Sequence, residues 1–235
     1  MLTTTHQHNV KIARHTLNSR NQQGVTLFIV LIMLILGLIS VLSAARVGIL
    51  NEVFVGSDSD AQRTFAAAEA MMRDATIDVK GIKDDGTDCN PASNTIGCRL
   101  KSKPHLVSYN DGEVKLGPVR DSLNGAECAE GVCAPLTGLM SPFWNDDTTL
   151  AAKKLQAASY GQFTGASAAG NPRLSNNKGW YWIEQYAYNA GSKATNRLPV
   201  PGSTFPFIMR ITVLTEGNKP GTRTILQSYY VPRPA

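Results

Sequence analysis

The longest apolar stretch of the chain covers residues 25–45, which contain no Asp, Glu, Lys or Arg and end at Arg46. At a helical rise of about 1.5 Å per residue, a run of this length just crosses the roughly 30 Å hydrocarbon core of a bilayer. Beyond Arg46 the apolar positions Val47, Leu50, Phe54, Ala61, Phe65, Ala68, Met72, Ala75 and Val79 recur at helical intervals. The pattern predicts one helix with a membrane half over 25–45 and an amphipathic half over 46–80, roughly 80 Å long if unbroken. Gly81 is its predicted stop and Asp84-Asp85-Gly86 the turn that follows. Gly56, Ser57 and Asp58 are its weakest point, since glycine is costly inside helices and serine and aspartate compete for backbone donors.

The remainder, 81–235, reads as one globular region of short β-prone runs separated by Gly, Pro and Asn clusters. Runs 106–109 and 113–116 flank Asn110-Asp111-Gly112, a hairpin signal. Residues 180–188 are aromatic-rich and predict a core strand, whereas 205–215 and 222–231 bracket the turn at 216–221. Within the first of that pair, Ile208, Arg210, Thr212 and Leu214 alternate with Met209, Ile211 and Val213. The predicted fold is therefore α+β: a long N-terminal helix packed on one face of a C-terminal antiparallel sheet, because each needs a partner for its apolar side. Between Leu136 and Lys178 lies a long Ala, Gly, Ser and Asn stretch that predicts one short helix within 146–159 and surface loop elsewhere.

Charge orients the first helix. Lys11, Arg14 and Arg20 precede it with no acidic residue, so the N-terminus is expected in the cytoplasm and everything after Arg46 outside it. A cleaved signal peptide ending at Ser43-Ala44-Ala45 is the first rival, but its apolar core would exceed the roughly 7 to 15 residues of a signal sequence. The formal charge of +5 falls to +2, with 20 basic against 18 acidic residues, once those three cations are set aside. A balance that small gives no argument for polyanion binding.

The cysteines Cys89, Cys98, Cys128 and Cys133 all follow the apolar run, in the compartment that permits disulfides. Three connectivities are possible; Cys89 with Cys98 and Cys128 with Cys133 is favoured because each pair closes a short loop at low entropic cost. Structural zinc is disfavoured by the spacing and by the oxidising location. Signs of catalysis are sparse. His6, His8 and His15 precede the helix, leaving His105 beyond it, and no phosphate loop, His-Glu-x-x-His pattern or Gly-x-Ser-x-Gly elbow is present. Asp84, Asp85 and Asp88 lack EF-hand spacing and read as a solvated turn rather than a calcium loop. Trp180, Trp182, Tyr186 and Tyr188 read as core packing rather than a stacking surface, and Glu52 and Glu69 as solvated or register-fixing helix charges. The chain is expected not to be an enzyme and to need no cofactor or metal.

A leader ending in Gly24, the following Val25-Thr26-Leu27, an uncharged helix running into an amphipathic half and a C-terminal sheet together resemble a type IV prepilin. The segments Phe65-Ala66-Ala67-Ala68-Glu69-Ala70, Tyr181-Trp182-Ile183-Glu184, Phe207-Ile208-Met209-Arg210-Ile211-Thr212 and Ile225-Leu226-Gln227-Ser228-Tyr229-Tyr230 resemble, more narrowly, a PilX-type minor pilin. The resemblance implies a leader over 1–24, cleavage between Gly24 and Val25, and methylation of the Val25 amine. It implies as partners a prepilin peptidase, the inner-membrane assembly platform, other minor pilins, the major pilin and a PilY-type tip adhesin, with no direct nucleic-acid contact. Location would be the inner membrane as a single-pass protein, then the pilus near its tip. Two positions depart from the major-pilin pattern: Val25 replaces the usual phenylalanine, and Ile29 the glutamate at the fifth mature position. A subunit without that glutamate cannot pair with the terminal amine of an earlier-added neighbour, which points to an initiation or tip subunit supporting adhesion or twitching motility. A K-type pseudopilin of type II secretion, a competence pilus subunit and an exported enzyme freed at Ala45 are the alternatives.

Overall fold

The computed structural model describes residues 23–89, 97–99, 104, 106, 116–135, 140–187 and 207–231. The chain divides into two units, Met1–Phe54 and Val55–Ala235. The first helix, α1, spans Gln23–Lys80 without interruption at Gly56. In the first unit every described side chain is solvent-exposed, Leu34 at 67% and Phe54 at 69%, and the stretch is long and apolar enough to cross a membrane. The helix stops where glycine permits: Gly81 has φ +68°, its N–H donates to the Asp78 carbonyl at 3.0 Å, and the Ile82 N–H reaches the Ile77 carbonyl at 3.4 Å. This pair of reverse bonds satisfies two carbonyls that the helix end would otherwise leave open.

In the second unit the elements after α1 are α2 (Gly117–Ser122), β1 (Cys128–Ala129), β2 (Val132–Cys133), a 3₁₀ turn (Phe143–Asn145), α3 (Asp147–Lys154), a second 3₁₀ turn (Ala168–Gly170), α4 (Pro172–Ser175), β3 (Gly179–Ala187), β4 (Phe207–Glu216) and β5 (Arg223–Tyr230). They build a five-stranded sheet in the order β1-β2-β3-β4-β5, antiparallel at every pair except β2 with β3. The α+β expectation and the β3-β4-β5 meander hold, and β3 pairs with β4 from Gly179 opposite Thr215 to Ala187 opposite Phe207. The hairpin expected around Asn110-Asp111-Gly112, His105 and Tyr188 lie outside the described residues.

The alternation along β4 separates two cores. Phe207, Met209, Ile211 and Val213 join Tyr181 and Ile183 against Ala67, Ala68, Met71 and Ala75 of α1. On the opposite face Trp182 and Leu214 pack with Met140, Phe143, Leu150 and the cysteines of β1 and β2. The stretch 136–178, expected to be mostly surface loop, instead contributes to both cores, with Phe163 and Leu174 in the first and Phe143 and Leu150 in the second. A two-sided sheet needs cover on both faces, and this segment supplies the second. Its short helix forms as expected, with Asp146 as N-cap accepting from the Thr149 N–H at 2.7 Å.

The helix stripe differs from the one read from the sequence. Asp60, Thr64, Ala67, Ala68, Met71, Asp74, Ala75 and Asp78 are buried, whereas Ala61 is exposed and Phe65 is 47% exposed. Small residues at the centre of this face let the backbone of α1 approach the sheet closely. The acids at its ends are tolerated because each has a partner waiting.

Candidate functional site

Gly24, Val25 and Ile29 lie in the first turns of described α1, where Val25 is 59% and Ile29 50% exposed. Both side chains are apolar, and no acidic residue lies in the helix's first turn. Glu52 and Glu69 are exposed on the same helix further along. The fifth position after Gly24 thus presents an aliphatic surface with no charge to offer a neighbouring amine.

The second unit holds both disulfides in the favoured connectivity, Cys89–Cys98 and Cys128–Cys133. The second closes the β1–β2 hairpin, whose tip carries Glu130 at φ +47° and Gly131 at φ +77°. Glycine is required at 131 because a Cβ there would lie 2.6 Å from the Ala158 Cβ, while its carbonyl accepts from the Ile183 N–H at 2.7 Å. Through that contact a two-residue strand is stitched in parallel onto β3.

Four buried carboxylates, none singled out by sequence reasoning, hold the unit together. Asp78 accepts from Arg99 Nε at 2.8 Å and Nη2 at 2.7 Å, and from the Tyr181 hydroxyl at 2.8 Å. Arg99 also donates to the Glu130 carbonyl at 3.0 Å and lies 3.7 Å over the Phe163 ring. Burial works against the Arg99 charge, but the Asp78 carboxylate more than offsets it and holds the guanidinium above its ordinary pKa. Burial, reinforced by Asp78, pushes the Tyr181 phenol well above its ordinary range.

Asp60 binds the β4–β5 turn. It accepts from the Lys219 N–H at 3.0 Å, the Asn218 N–H at 3.1 Å and Arg173 Nη2 at 2.6 Å. Those backbone donors, Lys219 first, draw its pKa down to about 2 against the effect of burial. Asp74 accepts from the Thr164 hydroxyl and from the Gly161 N–H at 2.8 Å, but no cation pairs with it among the described residues, and burial lifts its pKa to about 6. On the other face Glu184 takes Arg210 Nε at 2.6 Å and Nη2 at 2.8 Å. The pair grips the Met140 backbone at both ends: its N–H donates to Glu184 at 3.0 Å and its carbonyl accepts from Arg210 at 3.0 Å. Burial, then the Tyr186 hydroxyl's bond to Glu184, raises the Tyr186 pKa strongly.

Asp85, Trp180 and Trp182 play structural parts. Asp85 accepts from the Thr87 N–H at 2.9 Å and the Thr87 hydroxyl at 2.6 Å, closing the expected turn. Trp182 is fully buried and donates to the Lys153 carbonyl at 3.1 Å, while Trp180 carries the Lys154 ammonium 4.1 Å above its ring. These carboxylates are consumed by partners that fix backbone segments, which suits scaffolding rather than proton transfer.

A membrane-capable N-terminal helix whose outer stretch packs on a mainly antiparallel sheet defines the architecture of a type IV pilin. Residues 82–232 match the family model for the C-terminal region of the type IV pilus assembly protein PilX, and the chain belongs to that family. It is thus a minor pilin associated with type IV pilus assembly, in a family of structural pilins rather than enzymes. No curated protein and no solved structure matches the chain.

Proposed function

We propose that this minor pilin is an initiation or tip subunit of the type IV pilus, part of a small complex that primes polymerisation and supports a PilY-type adhesin. The observation that carries the reading is Ile29. In a filament whose subunits pair a fifth-position glutamate with the amine of an earlier-added neighbour, an aliphatic residue leaves nothing to neutralise that amine. A buried unpaired charge costs several kcal/mol, so this chain fits best where no earlier subunit has to be received.

The reading includes processing. Prepilin peptidase removes 1–24 at Gly24, and Val25 becomes the methylated N-terminus of a helix with its membrane half over 25–45 and its amphipathic half over 46–80. Before assembly the N-terminus faces the cytoplasm and the region 81–235 faces outward, where its two disulfides form. Other minor pilins, the major pilin and the inner-membrane platform are its partners.

Restoring the charge tests it. Ile29→Glu is expected to move the subunit from the pilus end into the shaft, read by immunogold position on sheared pili and by its ratio to major pilin. Equal amount and position for the variant and the native chain would remove the argument. A pseudopilin role in secretion shares the fold, and copurification with sheared pili rather than with a secretion complex separates the two.

A further inference from the structure

Arg99 is the point at which the two disulfide loops meet α1 and β3. It directly follows Cys98, and the Cys89–Cys98 bond ties it to the stop of α1, because the Cys89 N–H donates to the Gly81 carbonyl at 2.8 Å. On the other side Gly97, at φ +82°, lies against the Thr164–Gly165 backbone so closely that a Cβ would sit 2.9 Å from the Gly165 nitrogen. The backbone leading into Arg99 is therefore held from two directions. Its guanidinium reaches Asp78 of α1, the ring of Phe163, the Pro104 carbonyl at 3.3 Å, and the Glu130 carbonyl within the loop closed by Cys128–Cys133. Asp78 in turn receives Tyr181 of β3.

The side chains of Arg99 and Asp78 are 7% and 2% exposed, so neither charge has water to fall back on. An arginine enters such a site only if its partners and its own backbone are already in place, since ordering the side chain costs entropy and stripping its water costs more. The Cys89–Cys98 bond is what ties that backbone to the end of α1.

We propose that closing the Cys89–Cys98 disulfide seats Arg99, making the junction between the end of α1 and β3 a redox-dependent lock that is complete only in the oxidised chain. In the dithiol chain Asp78 keeps its phenol partner but loses its cation, and the last turns of α1 loosen from the sheet. The oxidant is an external protein disulfide: one cysteine thiolate attacks it, the second resolves the mixed disulfide, and two electrons leave with the external pair as its dithiol while the two cysteine protons are released or taken up by it. The lock does not depend on where the subunit sits in a filament.

The test is amide hydrogen exchange of the full chain in detergent micelles, read over residues 74–80 of α1. Replacing the pair, C89S/C98S, is expected to speed exchange there at least tenfold while residues flanking Asp60, which has its own partners, change less than threefold. D78N/R99M is expected to speed the same amides, and adding C89S/C98S to it to change them less than threefold further. D78N alone gives a second comparison should the double variant fail to accumulate: without the carboxylate charge, losing the disulfide again matters less than threefold. Independent, multiplicative effects would assign the disulfide a loop-tethering role only and overturn the proposal, as would unchanged exchange in C89S/C98S.

Discussion

One helix serves two different surroundings. Over 23–54 every described side chain of α1 is exposed, and no charge interrupts 25–45; over 55–80 the buried face carries Asp60, Asp74 and Asp78 among alanines. The contrast lies in what each stretch has to meet. A lipid environment would supply no hydrogen-bond partners, and residues 25–45 suit one: they carry no charge, and Ser40 donates its hydroxyl to the Leu36 carbonyl of its own helix at 2.8 Å. The folded unit supplies Arg173, Arg99, Thr164 and backbone donors at fixed positions, so carboxylates can be buried there and used to set the helix against the sheet.

The largest expected effect comes from stripping a buried carboxylate of its cation. Arg210→Ala leaves Glu184 without its cation between the sheet and the Met140 backbone, and denaturant unfolding should register a loss of about 3–5 kcal/mol. Replacing both members by apolar residues, E184L/R210M, should recover much of that loss; full additivity of the two single changes would show the pair to be uncoupled. Along the uncharged, membrane-capable stretch 25–45 the logic reverses. Leu34→Lys has no partner to find and is expected to cost about 3 kcal/mol in apparent insertion free energy, measured by glycosylation mapping of inserted chains. Within the outer stretch the packing contrast is sharp between near neighbours: Ala68→Leu should destabilise by about 1–3 kcal/mol, whereas Ala66→Leu, on the exposed side, should change stability by no more than about 0.5 kcal/mol.

Stability also responds to pH, with opposite signs at two of the buried carboxylates. Asp60, lowered to about 2, binds fewer protons folded than unfolded, so its contribution is present above about pH 4 and is lost as pH falls toward 2. Asp74, raised to about 6, binds more protons folded than unfolded, so stability declines as pH rises from about 4 to 6. Unfolding midpoints of Asp74→Asn across that window should show a flatter slope than the native chain. An unchanged slope would mean that another group titrates there.

Much of this was legible from residue pattern alone. The uncharged run, the Gly81 stop, β3 to β5 and the disulfide pairing follow from local signals: periodicity, turn residues and short cysteine spacing. The buried acids were not, because a periodicity reading assigns charged side chains to the solvent face. Their partners are far along the chain, 21 residues for Arg99 with Asp78 and 113 for Arg173 with Asp60. A signal was nonetheless present, since Asp60, Asp74 and Asp78 fall on the helical face of Ala67, Ala68, Met71 and Ala75. β1 and β2, with two residues each, are too short to leave a pattern, and only the cysteines mark them. Gly24 and Ile29 were legible as positions in a motif; their meaning depends on processing and on neighbours outside a single chain.

Maturation of this chain as a pilin is tested most directly by N-terminal mass spectrometry of the protein from membranes and sheared pili. An N-methylated Val25 as the first residue is the predicted result. A mature protein that still begins at Met1, or one that begins at Arg46, would contradict it.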